Sequence, residues 1–260
     1  MVSIRDLASA IIDLLADNTD SVIIHSSLLQ IGRPLEGVDA LRDILVYELV
    51  EKRGLNLIIP TFSFNQNLTW DPGLLTNDCG VLSKAFIKKY SCYRTIHPIH
   101  SVVHIPPRLV LRNSFSRKAV SESSFGPKSI WHKLAVSDNT LNIGLGIGLD
   151  GGGTYLHAFE EIYQVPYRKL VDINSERISP KLRNYQFSYF ARTNIFINGE
   201  EVEFYNDWNK VMEEMQTQNL YHEKTYPDFL ISSSIPGKVH SFVRKKLMTD
   251  PFFMAKPVTP

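Results

Sequence analysis

The feature that most constrains this chain is an alternation of short apolar runs with amphipathic runs of helical spacing. Apolar residues recur at helical spacing over 3–16, with Ser3 as a candidate N-cap, and again over Val38–Glu51 and Leu82–Tyr90. Short strand candidates lie between these helices, at Val22–Ile24, Leu55–Pro60 and Ser101–Ile105. This alternation predicts an α/β fold with a mostly parallel central sheet flanked by helices.

The last third of the chain has a different pattern. Phe187–Ile197 alternates as a strand does, Asn198-Gly199 is a strong hairpin signal, and Glu200–Tyr205 returns as the partner strand. We therefore predict a small antiparallel C-terminal appendage. Helices are expected at Asp207–Asn219 and around Val239–Leu247, followed by a disordered tail. We expect one domain over residues 1–260, with a core at about 20–170 and the appended hairpin and helices at about 171–250.

Composition limits the classes of partner. The chain has 260 residues, of which 43% are hydrophobic, and its net charge is +1. A net charge this small produces no overall electrostatic attraction to nucleic acid or to an anionic membrane. The two cysteines, Cys79 and Cys92, lack metal-ligand spacing. No apolar run approaches the roughly 18 residues of a membrane span. We expect a cytoplasmic protein without nucleic-acid or membrane partners, and the sequence leaves a homodimer open.

The densest chemical signal lies in Leu141–Arg168, where an apolar run ends in a cluster of glycines and an amphipathic run begins at Thr154. His157 and Glu160 are three residues apart, so they share one face of a helix. A histidine beside a carboxylate has the makings of an oriented general base.

Two other interpretations of this stretch stay open from the residues alone. Gly146, Gly148 and Gly151 satisfy the dinucleotide-binding pattern G-x-G-x-x-G, and Asp172 lies near the offset of a ribose-binding acid. The alternative is an ordinary glycine turn with a solvated His and Glu. Local sequence does not decide between these and an active-site loop.

Small hydroxyl residues follow the first strand candidate. Ligands bind beyond the carboxyl ends of strands in open α/β sheets, so Ser26 and Ser27 could offer hydroxyls and amides to a cofactor. The alternative for these serines is a helix cap.

A second polar cluster precedes the strand candidate at Ser101–Ile105. Arg94 could hold a phosphate, and His97 or His100 could donate to a ligand. Metal binding by His97, His100 and His104 is disfavoured, because alternate strand residues point to opposite faces and no nearby Cys or carboxylate completes a site.

Several separated stretches together resemble the aminoglycoside 3-N-acetyltransferase family. They match in order from about Ile23 to Arg168, and the resemblance is faint beyond it. The matching segments are HSSLLQIG (His25–Gly32), LIIPTFSF (Leu57–Phe64), Trp70-Asp71-Pro72, Gly80–Phe86, RTIHPIHS (Arg94–Ser101), SSFGPKS (Ser123–Ser129), T-x-L-H-x-x-E (Thr154–Glu160) and VPYR (Val165–Arg168). One departure is Gly153, where the family usually has Asn.

The resemblance implies an acetyl-CoA-dependent N-acetyltransferase that forms no acyl-enzyme and needs no metal. It implies that His157 takes the proton from the attacking amine and that Glu160 fixes its tautomer, with Thr154 helping to position the acyl donor or oxyanion. It implies that seven residues bind the coenzyme, namely Ser26, Ser27, Leu28, Arg94, Thr95, His100 and Ser101. His97 and Ser101 are interpreted as site supports.

The acceptor implied by the resemblance is a small molecule with an amino sugar. Candidate acceptor-binding residues are Asn65, Asp71, Glu161 and His97. The chain has no acidic excess to hold a polycationic drug, so a nucleotide-linked amino sugar used in surface polysaccharide is weakly favoured over an aminoglycoside antibiotic.

Two other functions remain as alternatives. One is an NAD-linked oxidoreductase that uses Gly146–Gly151, and the other is a non-catalytic CoA- or sugar-binding relative marked by Gly153. A Ser/His/Glu hydrolase is disfavoured because no G-x-S-x-G elbow precedes the histidine.

Overall fold

A computed structural model describes residues 2–64, 69–75, 78–107 and 123–258. Its helices are α1 (Ile4–Ile12), α2 (Leu28–Ile31), α3 (Val38–Leu45), α4 (Gly80–Tyr90), α5 (Ile130–Ala135), α6 (Leu149–Gly152), α7 (Leu156–Ile162), α8 (Trp208–Thr217) and α9 (Pro236–Thr249). Its strands are β1 (Ser21–Ser26), β2 (Asn56–Pro60), β3 (Val102–Ile105), β4 (Thr140–Leu145), β5 (Arg168–Asp172), β6 (Ser188–Arg192), β7 (Ile195–Ile197), β8 (Glu200–Val202), β9 (Phe204–Asn206), β10 (Tyr221–Thr225), β11 (Leu230–Ser234) and β12 (Ala255–Pro257).

The centre of the molecule is a six-stranded sheet in the order β10-β11-β4-β1-β2-β3. The middle strand β1 pairs in parallel with β2 and β4, whereas β3, β11 and β10 each pair antiparallel with their inner neighbour. It follows that β1, β2, β4 and β10 run in one direction. The predicted fold class, a mostly parallel sheet flanked by helices, is confirmed.

Side chains of alternate residues in the inner strands belong to two hydrophobic cores, one on each face of the sheet. Val22 and Ile24 of β1 pack with α1, α3 and α4, whereas Ile23 between them packs with α5, α7 and α9. This two-residue period is that of a strand covered on both faces. The side that carries Ile23 is therefore the side on which α7 and the His/Glu pair are held.

The predicted N-cap at Ser3 is confirmed, because the Ser3 hydroxyl accepts from the Arg5 N–H at 3.2 Å. Helix α5 begins in the same way, with the Ser129 hydroxyl accepting from the His132 N–H at 3.0 Å. The helix predicted over Val38–Glu51 is α-helical only to Leu45 and continues as a π-helical turn over Val46–Glu51.

The C-terminal third confirms the hairpin and corrects its surroundings. Asn198 and Gly199 have φ of 53° and 87° between the paired strands β7 and β8, as a tight hairpin turn requires. The segment Phe187–Ile197 is not one strand, because β6 pairs with β5 and only β7 joins the hairpin. The tail is not disordered over Ala255–Pro257, which pairs with β9.

The sequence did not predict β10 and β11, which complete the central sheet. No helix among the described residues is both long and apolar enough to span a membrane.

Gly146 is required by the turn that follows β4. Its φ is +69°, and an added Cβ would lie 2.5 Å from Cγ2 of Ile31 and 2.9 Å from the Ser27 carbonyl oxygen. This turn therefore packs directly against the chain that leaves β1, which brings the ends of two parallel strands together.

We expect Gly146→Ala to destabilise the fold by about 2 kcal/mol or more, because it combines a left-handed backbone with overpacking. Gly151→Ala is the matched control, since its new Cβ would meet nothing closer than 3.5 Å. Chemical denaturation measures both. Equal stability of the two variants would contradict the packing argument.

Candidate active site

The His/Glu pair lies on α7, which begins after the glycine-rich turn. The N–H of His157 donates to the Thr154 carbonyl at 3.1 Å, and this turn leads into the helix. Nδ1 of His157 lies 2.5 Å from Oε2 of Glu160, so the shared helix face predicted from their spacing is present.

Glu160 is fully buried and is surrounded by donors from separate elements. Oε1 accepts from the Tyr167 hydroxyl at 3.1 Å and from Nδ2 of Asn206 at 2.5 Å. Oε2 contacts His157 and also Nε of Arg168 at 2.9 Å. The Arg168 N–H is not aimed at that oxygen, so this contact is an ion pair and not a hydrogen bond.

These contacts keep Glu160 ionised. Burial alone would raise its pKa, but the positive charges of His157 and Arg168, with the hydrogen bonds from His157 and Asn206, outweigh burial and lower it. An ionised carboxylate only accepts hydrogen bonds, so Nδ1 of His157 carries a proton whether the ring is charged or neutral. Nε2 of His157 is then left as the basic nitrogen.

The imidazole of His157 is accessible from one side. Its side chain is 27% exposed, and its ring centroid lies 5.3 Å from that of Trp208 and 5.8 Å from that of Phe125. It lines a cavity of about 510 Å³, hereafter the second cavity, together with residues of β6 and the start of α8. The ring therefore faces a space that could hold a small molecule.

A larger cavity of about 950 Å³, hereafter the first cavity, lies at the carboxyl ends of β1 and β2. Ser26, Ser27 and Leu28, which the family resemblance implies as coenzyme-binding residues, line this cavity. Ser27 precedes α2, but within this described segment its side chain makes no capping hydrogen bond, so its hydroxyl is not used as a helix cap.

Aromatic side chains form the boundary between the two cavities. Phe62 lines the first cavity, and its ring lies 6.1 Å from Phe64 and 5.2 Å from His100, which both line the second. His100 in turn lies 4.7 Å from Phe125, the neighbour of His157. The two cavities therefore adjoin across rings a few ångströms from the basic nitrogen.

His25 is a site residue that sequence reasoning missed. It is 6% exposed and lines the first cavity, and its Nε2 has no hydrogen-bond partner among the described residues. Burial lowers the pKa of this imidazole to about 3, so it is neutral. The only signal in the sequence was its place in the HSSLLQIG segment.

Arg94 is not placed where it could hold a cofactor phosphate, which corrects the sequence interpretation. It is 1% exposed, donates to the carbonyls of Thr61 and Leu74 at 2.6 Å, and stacks its guanidinium on Trp70. Burial lowers its pKa to about 10. Arg94 ties the loop around Trp70 to the end of β2.

Thr95 and Ser101 belong to the same internal network. The Thr95 hydroxyl accepts from the Val102 N–H at 3.0 Å, and the Ser101 hydroxyl donates to the Thr61 carbonyl at 2.7 Å. Both are buried and line neither cavity in the described part of the chain. They support the start of β3, directly after His100, and His100 lines the second cavity and not the first.

His97 acts as a support. Its Nδ1 accepts from the backbone of Ile99 at 3.2 Å, and its Nε2 lies 3.0 Å from the Ser188 carbonyl, which links it to β6. Burial lowers the pKa of His97 to about 4 and that of His100 well below its ordinary value. His104 bonds instead to Oδ1 of Asn56, and no group of three potential metal ligands occurs among the described residues.

The other predicted acceptor contacts are scattered. Asp71 lines a separate depression beside Arg94, and Glu161 is buried and accepts from the Ser123 hydroxyl at 2.5 Å. Burial raises the pKa of Glu161. Asn65 lies outside the described residues. The side chain of Thr154 lines neither cavity within the described residues.

Four residues that surround the pair were not selected from the sequence. These are Tyr167 and Arg168, which stood only within the VPYR segment, and Asn206 and Trp208, which follow the C-terminal hairpin. No motif marks Asn206 or Trp208, because they reach the site only when β9 and α8 fold against α7.

Comparison with known proteins identifies the family and the fold. The family model for aminoglycoside 3-N-acetyltransferase matches residues 23–226. The apoenzyme of aminoglycoside acetyltransferase AAC(3)-IVa is 18% identical with a TM-score of 0.70, covering 99% of this chain and 92% of that chain. Sisomicin-bound AAC-VIa is 17% identical with a TM-score of 0.72, covering 95% and 98%. AAC-IIIb with CoASH is 16% identical with a TM-score of 0.67, covering 95% and 97%. No curated protein sequence matches the chain.

The dinucleotide interpretation is wrong. After β4 comes only the four-residue helix α6, and Asp172 is exposed at the end of β5, outside the central sheet. Two glycines of this stretch, Gly146 and Gly153, instead serve close packing. At Gly153, a Cβ would lie 2.5 Å from the Leu149 carbonyl oxygen, so the Asn usual in the family would require the turn to move.

We expect Arg94→Gln to cost about 3 kcal/mol of unfolding free energy, because buried carbonyls lose a charged donor. Arg33→Gln, at an exposed arginine, should leave stability within about 0.5 kcal/mol of the parent. Thermal and urea unfolding test this pair. A fully stable Arg94→Gln protein with weakened CoA binding would instead restore Arg94 as a cofactor ligand.

Proposed function

Since the chain belongs to the aminoglycoside 3-N-acetyltransferase family, we propose that it moves acetyl from acetyl-CoA to an amino sugar by direct attack of the amine. It is an acetyl-CoA-dependent acetyltransferase, as its family membership implies. The single observation that carries the mechanism is the His157–Glu160 pair, whose imidazole lines the second cavity close to the aromatic boundary with the first.

His157 acts as general base in this proposal. An amine attacks a thioester only through its lone pair, and the nitrogen becomes cationic as the bond to the carbonyl carbon forms. Nε2 takes a proton from that nitrogen, and Glu160 stabilises the resulting imidazolium through Nδ1–H at 2.5 Å. The tetrahedral intermediate then collapses by expelling the CoA thiolate. Thr154 contributes its backbone carbonyl, which orients the start of α7.

The first cavity is the proposed coenzyme site. Ser26, Ser27 and Leu28 line it, and so do the apolar side chains of Leu29 and Val81, which are 96% and 59% exposed. Exposed apolar side chains around a cavity suit the pantetheine arm. AAC-IIIb, one of the structural neighbours, was crystallised with CoASH.

Arg33 takes the role that the sequence gave to Arg94. It is exposed and lines the first cavity, so a guanidinium can meet coenzyme phosphates there while staying solvated. Arg94 is buried among protein acceptors.

The lining of the first cavity favours direct transfer over an acyl-enzyme. Cys79 is the thiol there, and burial raises its pKa to about 12, so it stays protonated at neutral pH. His157, the proposed base, lines the second cavity instead. The amine is therefore the nucleophile that the base can serve.

The second cavity is the proposed acceptor site, with Trp208 and Tyr189 offering flat faces to a sugar ring. AAC(3)-IVa has been crystallised with apramycin as a histidine-to-alanine mutant, and AAC-VIa with sisomicin, so relatives of the same fold accept amino sugars. We also propose a cytoplasmic location, where acetyl-CoA is available.

We expect His157→Ala to lower kcat about 10²- to 10⁴-fold, the usual contribution of a positioned general base. The dissociation constant for CoA should be unchanged, because the imidazole lines the other cavity. Thiol release measures kcat, and calorimetry measures CoA binding.

His222→Ala, at an exposed histidine of β10, is the matched control and should retain full turnover. Turnover of His157→Ala equal to that of this control would remove His157 from the mechanism. Absence of acetyl transfer to any amine by the parent protein would favour a non-catalytic relative.

Arg33→Gln should raise KM for acetyl-CoA about tenfold at low salt with kcat nearly unchanged, because it removes a binding charge and no transition-state contact. Dephospho-CoA derivatives should show a smaller effect of the same substitution. An unchanged KM would place the coenzyme phosphates elsewhere.

A further inference from the structure

The polar groups of His100 are held from three sides. Its backbone N–H donates to Nδ1 of His97 at 3.3 Å, and its carbonyl accepts from Nε1–H of Trp131 at 2.9 Å. Its Nδ1 lies 2.8 Å from the hydroxyl oxygen of Ser124. Among the described residues only Nε2 of His100 is left without a hydrogen-bond partner, and the half-buried ring lines the second cavity. This nitrogen is therefore available to a ligand.

A series of hydrogen bonds fixes which nitrogen of His100 carries the proton. Nδ1 of His97 accepts the backbone N–H groups of Ile99 and His100, so the proton of the neutral His97 ring is on Nε2. That N–H faces the Ser188 carbonyl at 3.0 Å and the Ser124 hydroxyl oxygen at 3.2 Å, so Ser124 accepts there. Within the described segments, the hydroxyl proton of Ser124 then has one acceptor, Nδ1 of His100. Burial lowers the pKa of both imidazoles, so both are neutral, and His100 carries its proton on Nε2.

The ring of His100 lies between the spaces from which the two reactants arrive. In the proposed reaction the acetyl group comes from the first cavity and the amine from the second. Phe62 lines the first cavity, and two rings of the second cavity contact it, those of Phe64 and His100, at centroid distances of 6.1 and 5.2 Å. Phe64 has no hydrogen-bonding side chain. His100 also lies 4.7 Å from Phe125, whose ring is 5.8 Å from that of His157. His100 therefore offers an N–H between the coenzyme space and the base.

We propose that His100 is a further catalytic residue, whose Nε2–H donates to the thioester carbonyl oxygen of acetyl-CoA as that oxygen becomes negative. This inference rests on the proposed acetyl transfer. As the C–N bond forms, the carbonyl π electrons move to the oxygen, which His100 stabilises. The carbonyl then re-forms, the C–S bond breaks with its electrons on the CoA sulfur, and the amine proton goes to Nε2 of His157. His100 keeps its own proton throughout. Ser124 is a positioning residue, because its hydroxyl fixes the tautomer.

A neutral imidazole suits this role better than a charged one. An imidazolium at His100 would disfavour protonation of His157, because like charges repel. A neutral ring donates a hydrogen bond without opposing the charge that develops on the base and without giving up its proton. The aromatic rings around His100 also limit access of water, which strengthens a hydrogen bond to a developing oxyanion.

The first test compares two substitutions of His100 that differ in the donor. His100→Phe removes the N–H and should lower kcat about 10²- to 10³-fold, while calorimetry shows an unchanged dissociation constant for CoA. His100→Gln brings an amide N–H to about the position of Nε2 and should keep kcat within about tenfold of the parent. His222→Gln, at an exposed histidine of β10, is the control and should retain full turnover.

Three kinetic results would overturn the proposal. The first is turnover of His100→Phe equal to that of the control. The second is a loss confined to KM for the acceptor, which would make His100 an acceptor contact instead. The third is an equal loss of kcat in His100→Phe and His100→Gln, which would assign the effect to packing.

The second test needs no acceptor and no turnover. Nitrogen-15 NMR of histidine-labelled protein reports which ring nitrogen carries the proton, and the spectrum of His100→Phe identifies the His100 signals. We expect the Nε2–H tautomer in the parent, a mixture of tautomers in Ser124→Ala, and a kcat about tenfold lower in that variant. Ser241→Ala, at an exposed serine of α9, should behave as the parent does. A parent His100 that carries its proton on Nδ1 would overturn the proposal.

The two tests together separate this inference from the proposed function. If His157→Ala loses turnover while His100→Phe retains it, only the role of His100 is disproved. If the parent transfers acetyl to no amine although acetyl-CoA binds, the proposed function fails, and this inference fails with it.

Discussion

The structure depends on a carboxylate that has no access to water. Removing an ionised Glu160 from solvent costs several kcal/mol. It is tolerated because hydrogen-bond donors from α7, β9 and the turn before β5 converge on its two oxygens together with the ion-paired Arg168 of β5. Each donor is supplied by a different part of the chain, so the carboxylate is fully satisfied only when the central sheet, the β5–β6 pair and the β9–β12 pair are all assembled. The orientation of the His157 imidazole, the proposed general base, is thereby a property of the whole fold and not of α7 alone.

A second constraint is the aromatic boundary between the cavities. Phe62, His100 and Phe125 pack ring against ring between the proposed coenzyme space and the proposed acceptor space. Burial keeps His100 neutral, so the boundary has low polarity although a histidine stands in it. A thioester carbonyl that meets an amine at such a boundary is largely shielded from water, which strengthens the charge interactions of the transition state and limits competing hydrolysis. The supports Arg94 and His97 lie behind this boundary and hold the strand and loop that carry it.

Sequence reasoning correctly predicted those elements of the structure that local sequence patterns determine. The inner strands, the helix on which His157 and Glu160 share a face and the Asn198-Gly199 turn follow from periodicity and turn chemistry. It missed β11 because Ser232 and Ser233 are buried but polar, and it missed β10 because the residues after Tyr221 are polar and exposed, so no apolar run marks either strand. It misassigned Arg94 because an arginine beside histidines has the same appearance in a sequence whether it faces a ligand or is buried under a loop. Asn206 and Trp208 could not be found, since their role exists only once distant segments meet.

The two proposed parts of the site are built on different parts of the fold. The proposed acyl-transfer apparatus, namely the turns after β1 and β4 together with α7, is built on the central sheet. The second cavity, which we propose as the acceptor site, takes its arginines from β5, β6 and the turn at 175–177, which lie outside the central sheet. Replacing an exposed cation there, such as Arg192, would change the potential of this cavity without altering the packing around Glu160. Arg168 is the exception, because it forms an ion pair with Glu160 and also lines the second cavity, so the proposed base and the proposed acceptor site share one electrostatic environment.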